Sequence, residues 1–210
     1  MSIEVKICGV NTPESLDAAA EAGADWIGLV FVPASPRAVT PGEAARLSGH
    51  RPGGPGRVGL FVEPDDALLA AALGAVPLDA VQLYASPERA AAVRARFGVP
   101  VWLALGVAAP SDLPDTAPPG VDRLLLDAKP PTGAALPGGN AHPFDWPMLR
   151  AWQAPLPWML AGGLTPGAVA GAIQASGAPG VDVSSGVERA RGVKDAALIR
   201  AFVEAARRAA

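Results

Sequence analysis

The chain has 210 residues, half of them hydrophobic (50%) and only 18% charged, which is enough apolar material for a large buried core and reads as one domain spanning residues 1–210. A formal net charge of -3 with a pI near 5.4 leaves no basic footprint for nucleic acid and no polybasic patch for a membrane surface. One cysteine and two histidines exclude an internal disulfide framework and offer no zinc-ligand cluster, which fits a reducing cytoplasm; the first ten residues, with Glu4 and Lys6 inside their apolar stretch, read as neither signal peptide nor membrane span.

Short β-rich runs recur about every 20 to 30 residues, each followed by an alanine-rich helical pattern, the signature of repeated strand-helix units and a parallel sheet. Eight strands are expected: Glu4 to Cys8, Trp26 to Val32, Val58 to Val62, Ala80 to Tyr84, Val101 to Leu105, Arg123 to Asp127, Trp158 to Ala161 and Val181 to Ser184. Helices are expected at Pro13 to Ala22, Pro41 to Ser48, Asp65 to Leu73, Pro87 to Phe97, Pro166 to Ala175 and Lys194 to Ala209. Thr12-Pro13 and Thr165-Pro166 each set a capping hydroxyl before a proline, as helix starts prefer. Between Gly106 and Pro119 the prolines make the helical pattern weakest. Eight units in roughly 200 residues match a closed α/β barrel, the (β/α)8 or TIM barrel, better than an open doubly wound sheet, and no Gly-x-Gly-x-x-Gly follows a strand to support a dinucleotide site. The proline- and glycine-rich stretch from Lys129 to Pro143 follows the sixth strand and is expected to lie over the active face, the alternative being a disordered surface insertion.

In such a barrel the reactive groups stand at strand C-termini and in the loops that follow. Lys6 and Cys8 are two apart at the end of the first strand and share a face; an ammonium beside a thiol favours the thiolate, although a lone cysteine is more often inert core. Asp127 ends the apolar run Leu124-Leu125-Leu126, where low polarity raises a carboxyl pKa and suits it to act as an acid. Cys8 and Asp127 thus form a candidate base and acid on two sides of one substrate. Gly162-Gly163 and Ser184-Ser185-Gly186 follow the seventh and eighth strands, where barrels commonly bind phosphate through backbone N–H groups. Arg37, in the loop after the second strand, is either a fork for a substrate carboxylate or a solvated surface residue. Gln82, polar inside a buried strand, and Asp182, placed to pair with Lys6 across barrel closure, complete the candidate substrate-binding set. His50 and His142 fall in predicted loops and receive no role.

Taken together, these motifs resemble the phosphoribosylanthranilate isomerase family nearly end to end. The resemblance rests on Lys6-Ile7-Cys8-Gly9, Gly28 to Phe31 with Ser35-Pro36-Arg37, Val58 to Val62, Val81-Gln82-Leu83, Leu125-Leu126-Asp127, Phe144-Asp145-Trp146, Leu160 to Leu164 and Asp182 to Glu188. It implies an isomerase of tryptophan biosynthesis that performs an Amadori rearrangement of N-(5'-phosphoribosyl)anthranilate to 1-(2-carboxyphenylamino)-1-deoxyribulose 5-phosphate. The family's general base falls on Cys8 and its general acid on Asp127; Arg37 matches the arginine that holds the anthranilate carboxylate, and Gly162-Gly163 with Ser184-Ser185-Gly186 match the phosphate loops. The reaction implied needs no metal and no organic cofactor, and its partner is a small phosphosugar, with the chain acting as a monomer or homodimer. Two departures stand out: Tyr84-Ala85 where family members usually carry His-Gly, and Gly138 to Pro143, where Ala141 and Pro143 replace more flexible residues.

Other readings compete. The related aminoaldose isomerase of histidine biosynthesis resembles this chain in chemistry but carries an aspartate where Cys8 stands, and an enzyme with both activities is compatible with the sequence. Indoleglycerol phosphate synthase relies on a lysine and glutamates at strand ends that are missing here. A non-catalytic barrel would use Cys8 as a redox sensor or as plain core.

Overall fold

The computed structural model describes residues 2–129 and 145–209. Eight parallel strands close into a barrel in chain order: β1 (Glu4–Cys8), β2 (Trp26–Val30), β3 (Gly56–Val62), β4 (Ala80–Tyr84), β5 (Val101–Val107), β6 (Arg123–Ala128), β7 (Trp158–Leu160) and β8 (Gly180–Val183). The β1–β8 register, Lys6 opposite Asp182, completes the circle. Their alternation of apolar residues is matched to two different cores. Ile7, Leu29, Phe61, Leu83, Leu103, Leu124 and Leu126 face outward into the large shell packed beneath the helices. Residues of the other parity fill the interior, where Val58, Ala80, Trp102 and Met159 form a buried plug.

The helices outside are α1 (Pro13–Glu21), α2 (Pro41–His50), α3 (Asp66–Ala75), α4 (Pro87–Phe97), α5 (Val169–Ser176) and α6 (Ala196–Arg208). Thr12 caps α1 as expected, its hydroxyl accepting the Ser15 N–H at 3.2 Å. The corresponding expectation at Thr165 fails: α5 begins at Val169, because a turn comes first in which the Thr165 carbonyl accepts the N–H groups of Ala168 and Val169. Lys194 likewise lies outside α6. It forms a small hairpin, β9 (Glu188–Ala190) with β10 (Val193–Lys194), and Asp195 caps the helix by accepting from Ala197 and Leu198. Between β5 and β6 the prolines allow only a 3₁₀ turn, Pro110–Asp112, and another 3₁₀ segment, Trp146–Ala151, precedes β7. The expectation that residues after Lys129 cover the mouth, together with His142 and the Gly138 to Pro143 departure, falls outside the described residues.

Candidate active site

At the C-terminal end of the barrel the strands surround an open cavity of about 700 Å³. Cys8, Arg37, Asp127, Asp182, Gly162, Gly163, Ser184, Ser185 and Gly186 all line it, so residues spread over 179 positions of chain converge on one space. Gln82 does not. It sits two residues before Tyr84 on the same face of β4, about 6.6 Å deeper in the barrel, fully buried, and neither its amide nitrogen nor its oxygen has a hydrogen-bond partner among the described residues. Tyr84 takes the mouth position instead.

Strand pleat puts Lys6 and Cys8 on the interior face and Ile7 in the outer shell. Lys6 is fully buried, and its Nζ donates to Asp182 Oδ1 at 2.7 Å. Burial opposes the Lys6 charge, yet Asp182 and Cys8 hold its pKa above the ordinary lysine value. The expected activation of Cys8 by this ammonium is reversed: burial pushes the thiol up, and Asp182 adds to that, outweighing the pull of Lys6 and Lys194. Asp182 neutralises much of the field that Lys6 would otherwise supply.

Asp127 stands at the end of β6 with a donor on each oxygen. The Ala128 N–H reaches Oδ1 at 2.8 Å, and the Tyr84 hydroxyl donates to Oδ2 at 3.0 Å. The carboxyl therefore meets polar donors rather than the purely apolar surroundings that its strand implied. Tyr84 is kept protonated by burial and by the facing Asp127, Asp182 and Cys8, all of which raise its pKa well above 10. Its ring packs on both apolar walls of the mouth, the one containing Cys8, Val30 and Leu60 and the one containing Ala104, Leu125 and Ala161.

The two glycine-containing loops meet. Gly162 and Gly163 both have positive φ, 83° and 67°, and a Cβ on Gly186 would lie 1.9 Å from the Leu164 carbonyl oxygen, so only glycine lets the β8 loop rest on the β7 loop. Arg37 is not a solvated surface residue: it is buried, held by the Ser35 turn, and forked onto Glu188 through Nε at 2.6 Å and Nη2 at 2.9 Å. Glu188, Lys194 and Tyr84 are the residues that sequence reasoning left without a role. Tyr84 carried a linear signal as a departure from the family pattern and Glu188 as the last residue of the Asp182 to Glu188 motif; Lys194 carried none.

The family model described as N-(5'phosphoribosyl)anthranilate (PRA) isomerase matches residues 5–205. A curated relative from Paramagnetospirillum magneticum, N-(5'-phosphoribosyl)anthranilate isomerase, is 55% identical over 212 residues, covering 99% of this chain and 98% of its own length. Among solved structures, TrpF from Jonesia denitrificans is 37% identical with a TM-score of 0.82, covering 98% of this chain and 97% of that one. A phosphoribosyl anthranilate isomerase in complex with reduced 1-(o-carboxyphenylamino)-1-deoxyribulose 5-phosphate is 31% identical with a TM-score of 0.80, covering 97% and 98%. No helix among the described residues is long and apolar enough to cross a membrane. With matches that run almost the full length of barrel and sequence alike, the chain belongs to the phosphoribosylanthranilate isomerase family.

Proposed function

We propose that this chain converts N-(5'-phosphoribosyl)anthranilate into 1-(2-carboxyphenylamino)-1-deoxyribulose 5-phosphate with Cys8 as general base and Asp127 as general acid. The observation that carries the assignment is that one cavity is lined by a thiol, a carboxyl, a guanidinium and two glycine-containing loops. Asp127 donates a proton to the furanose ring oxygen, and the ring C–O bond breaks to leave a Schiff base. The Cys8 thiolate removes the proton from C2', the electron pair moves to neutralise the iminium nitrogen, and the enolamine formed tautomerises to the ketone. Arg37 receives the anthranilate carboxylate, and the backbone around Gly162-Gly163 and Ser184-Ser185-Gly186 receives the phosphate. Gln82, one layer below the mouth, supports the site from beneath, and Asp182 keeps Lys6 charged beside the base. Proton transfers alone account for the chemistry, so the mechanism as written draws on no metal or cofactor.

The productive form holds a proton on Asp127 and none on Cys8. The test follows the decay of substrate fluorescence with the wild-type chain, Cys8→Ser and Asp127→Asn, each shown to be folded. Loss of about 10²- to 10⁴-fold in kcat for each variant is expected. Wild-type rates no faster than the uncatalysed decay overturn the assignment, and turnover of the histidine-pathway aminoaldose instead would identify the competing isomerase.

A further inference from the structure

Behind the cavity wall lies a buried ionic cluster built by the hairpin after β8. The Glu188 carboxylate accepts four hydrogen bonds: from Arg37 Nε (2.6 Å) and Lys194 Nζ (2.9 Å) on Oε1, and from Arg37 Nη2 (2.9 Å) and the Gly192 N–H (3.0 Å) on Oε2. The side chains of Glu188 and Lys194 are 3% and 1% exposed. Lys194 Nζ also donates to the Ser184 carbonyl at 2.9 Å and lies 3.4 Å from its hydroxyl, which in turn donates to the Cys8 carbonyl at 3.1 Å. A single chain of contacts therefore runs from the arginine, through Glu188 and Lys194, to the β8 loop and the strand that carries the base.

Packing leaves Arg37 little room to point elsewhere: a Cβ on Gly9 would lie 2.5 Å from its Cδ. Burial alone would raise the Glu188 pKa, but Arg37, Lys194 and the Gly192 N–H override it and hold the carboxylate ionised, with a pKa of about 2. Two cations share one carboxylate, so the cluster keeps one net positive charge next to a cavity that receives an anion at each end. Arg37 and Ser184 line that cavity, whereas Glu188 and Lys194 do not, so the pair can act on a ligand only through them.

We propose that Glu188 and Lys194 are positioning residues for the substrate: Glu188 aims the Arg37 guanidinium at the aryl carboxylate, Lys194 fixes the Ser184 loop against the phosphate, and the hairpin thereby sets the span between the two anionic ends. The proposal rests on the substrate assigned above. Fixing both ends places C2' relative to Cys8, so binding geometry and proton abstraction are linked through the same short segment.

The test uses the full chain and two probes, reduced 1-(o-carboxyphenylamino)-1-deoxyribulose 5-phosphate and its counterpart lacking the carboxylate, with Kd measured for wild type, Arg37→Met, Glu188→Gln and Lys194→Met. Wild type is expected to prefer the carboxylated probe by more than about tenfold. Glu188→Gln should cut that preference about tenfold while the affinity for the probe without a carboxylate stays within about twofold; Lys194→Met should weaken both probes about tenfold and keep the preference. A purely structural role would weaken both probes alike in Glu188→Gln, and that result overturns the proposal. So does tighter binding of the carboxylated probe by Glu188→Gln, which would make Glu188 a competitor for the arginine. If Glu188→Gln does not fold, Glu188→Asp, which keeps the charge but withdraws it by one methylene, is read by the same loss of preference. Should Arg37→Met keep the wild-type preference, the arginine assignment falls and the role of Glu188 with it; should wild type bind neither probe, the substrate assignment itself is at fault.

Discussion

Cys8 is a thiol whose neighbours disagree about its charge. Burial and Asp182 favour the neutral form, Lys6 and Lys194 the thiolate, and the balance lies above the ordinary cysteine value. Alkylation of Cys8 by iodoacetamide, read by mass spectrometry, should therefore be slower at pH 7 than that of a free thiol and accelerate with rising pH beyond pH 9. Because it is the only cysteine, the readout is unambiguous, and rapid labelling at pH 7 would contradict the balance described. Tyr84 offers a second test at this scale. Its hydroxyl is a side-chain donor to Asp127 Oδ2, and its ring touches both walls of the mouth, so Tyr84→Phe removes that hydrogen bond while keeping the packing. We expect kcat to fall about tenfold, near 1.4 kcal/mol of barrier, with KM little changed. An unchanged kcat would make the hydrogen bond incidental. Parity on β1 was legible in the sequence, since period-two alternation alone puts Lys6 and Cys8 together. The direction of the Cys8 shift was only half legible: barrel closure already set Asp182, 176 residues away, beside Lys6, but how completely eight strands exclude water was not readable from the chain.

The strands were read nearly to the residue because alternating branched apolar runs bounded by turns carry their own signature. Helix starts were less legible: Thr165-Pro166 has the right chemistry for a cap, but the chain uses those residues in a turn that brings Leu164 and Thr165 against the β8 loop. Lys194, expected to open the last helix, has its ammonium held instead by Glu188 and Ser184, contacts that only the folded hairpin creates. The contact between the β7 and β8 loops gives a prediction at this scale. Gly186→Ala places a methyl carbon into the Leu164 carbonyl oxygen, a backbone atom that cannot swing aside, so the loops must separate. A rise of about tenfold in KM is expected, with about 1–3 kcal/mol lost in urea unfolding, and a variant with both values unchanged would show that the loops adapt without cost.

At the scale of the whole molecule, closure of the barrel and stability in acid are connected. β1 meets β8 at Lys6–Asp182, and the loop after β2 meets the hairpin after β8 at Arg37–Glu188, so ionic contacts between the ends of the chain reinforce the seam. Glu188 has a depressed folded pKa of about 2 against an ordinary value of 4.5. A depressed carboxylate stabilises the fold above its unfolded pKa, and that stabilisation is lost as pH falls through the folded value. At 1.36 kcal/mol per unit the amount is about 3 kcal/mol, present in full above about pH 5 and lost progressively down to about pH 2. For a domain stabilised by about 5–15 kcal/mol this is a substantial share. Urea midpoints measured from pH 7 down to pH 3 should therefore decline for the wild-type chain. Glu188→Gln should begin lower at pH 7, because it leaves Arg37 and Lys194 without their shared carboxylate, and then decline less steeply, because the titrating group is gone. Parallel declines in the two proteins would assign acid sensitivity to other carboxylates, such as Glu4 at the opposite end of the barrel, whose pKa is lowered by its hydrogen bond to Arg123.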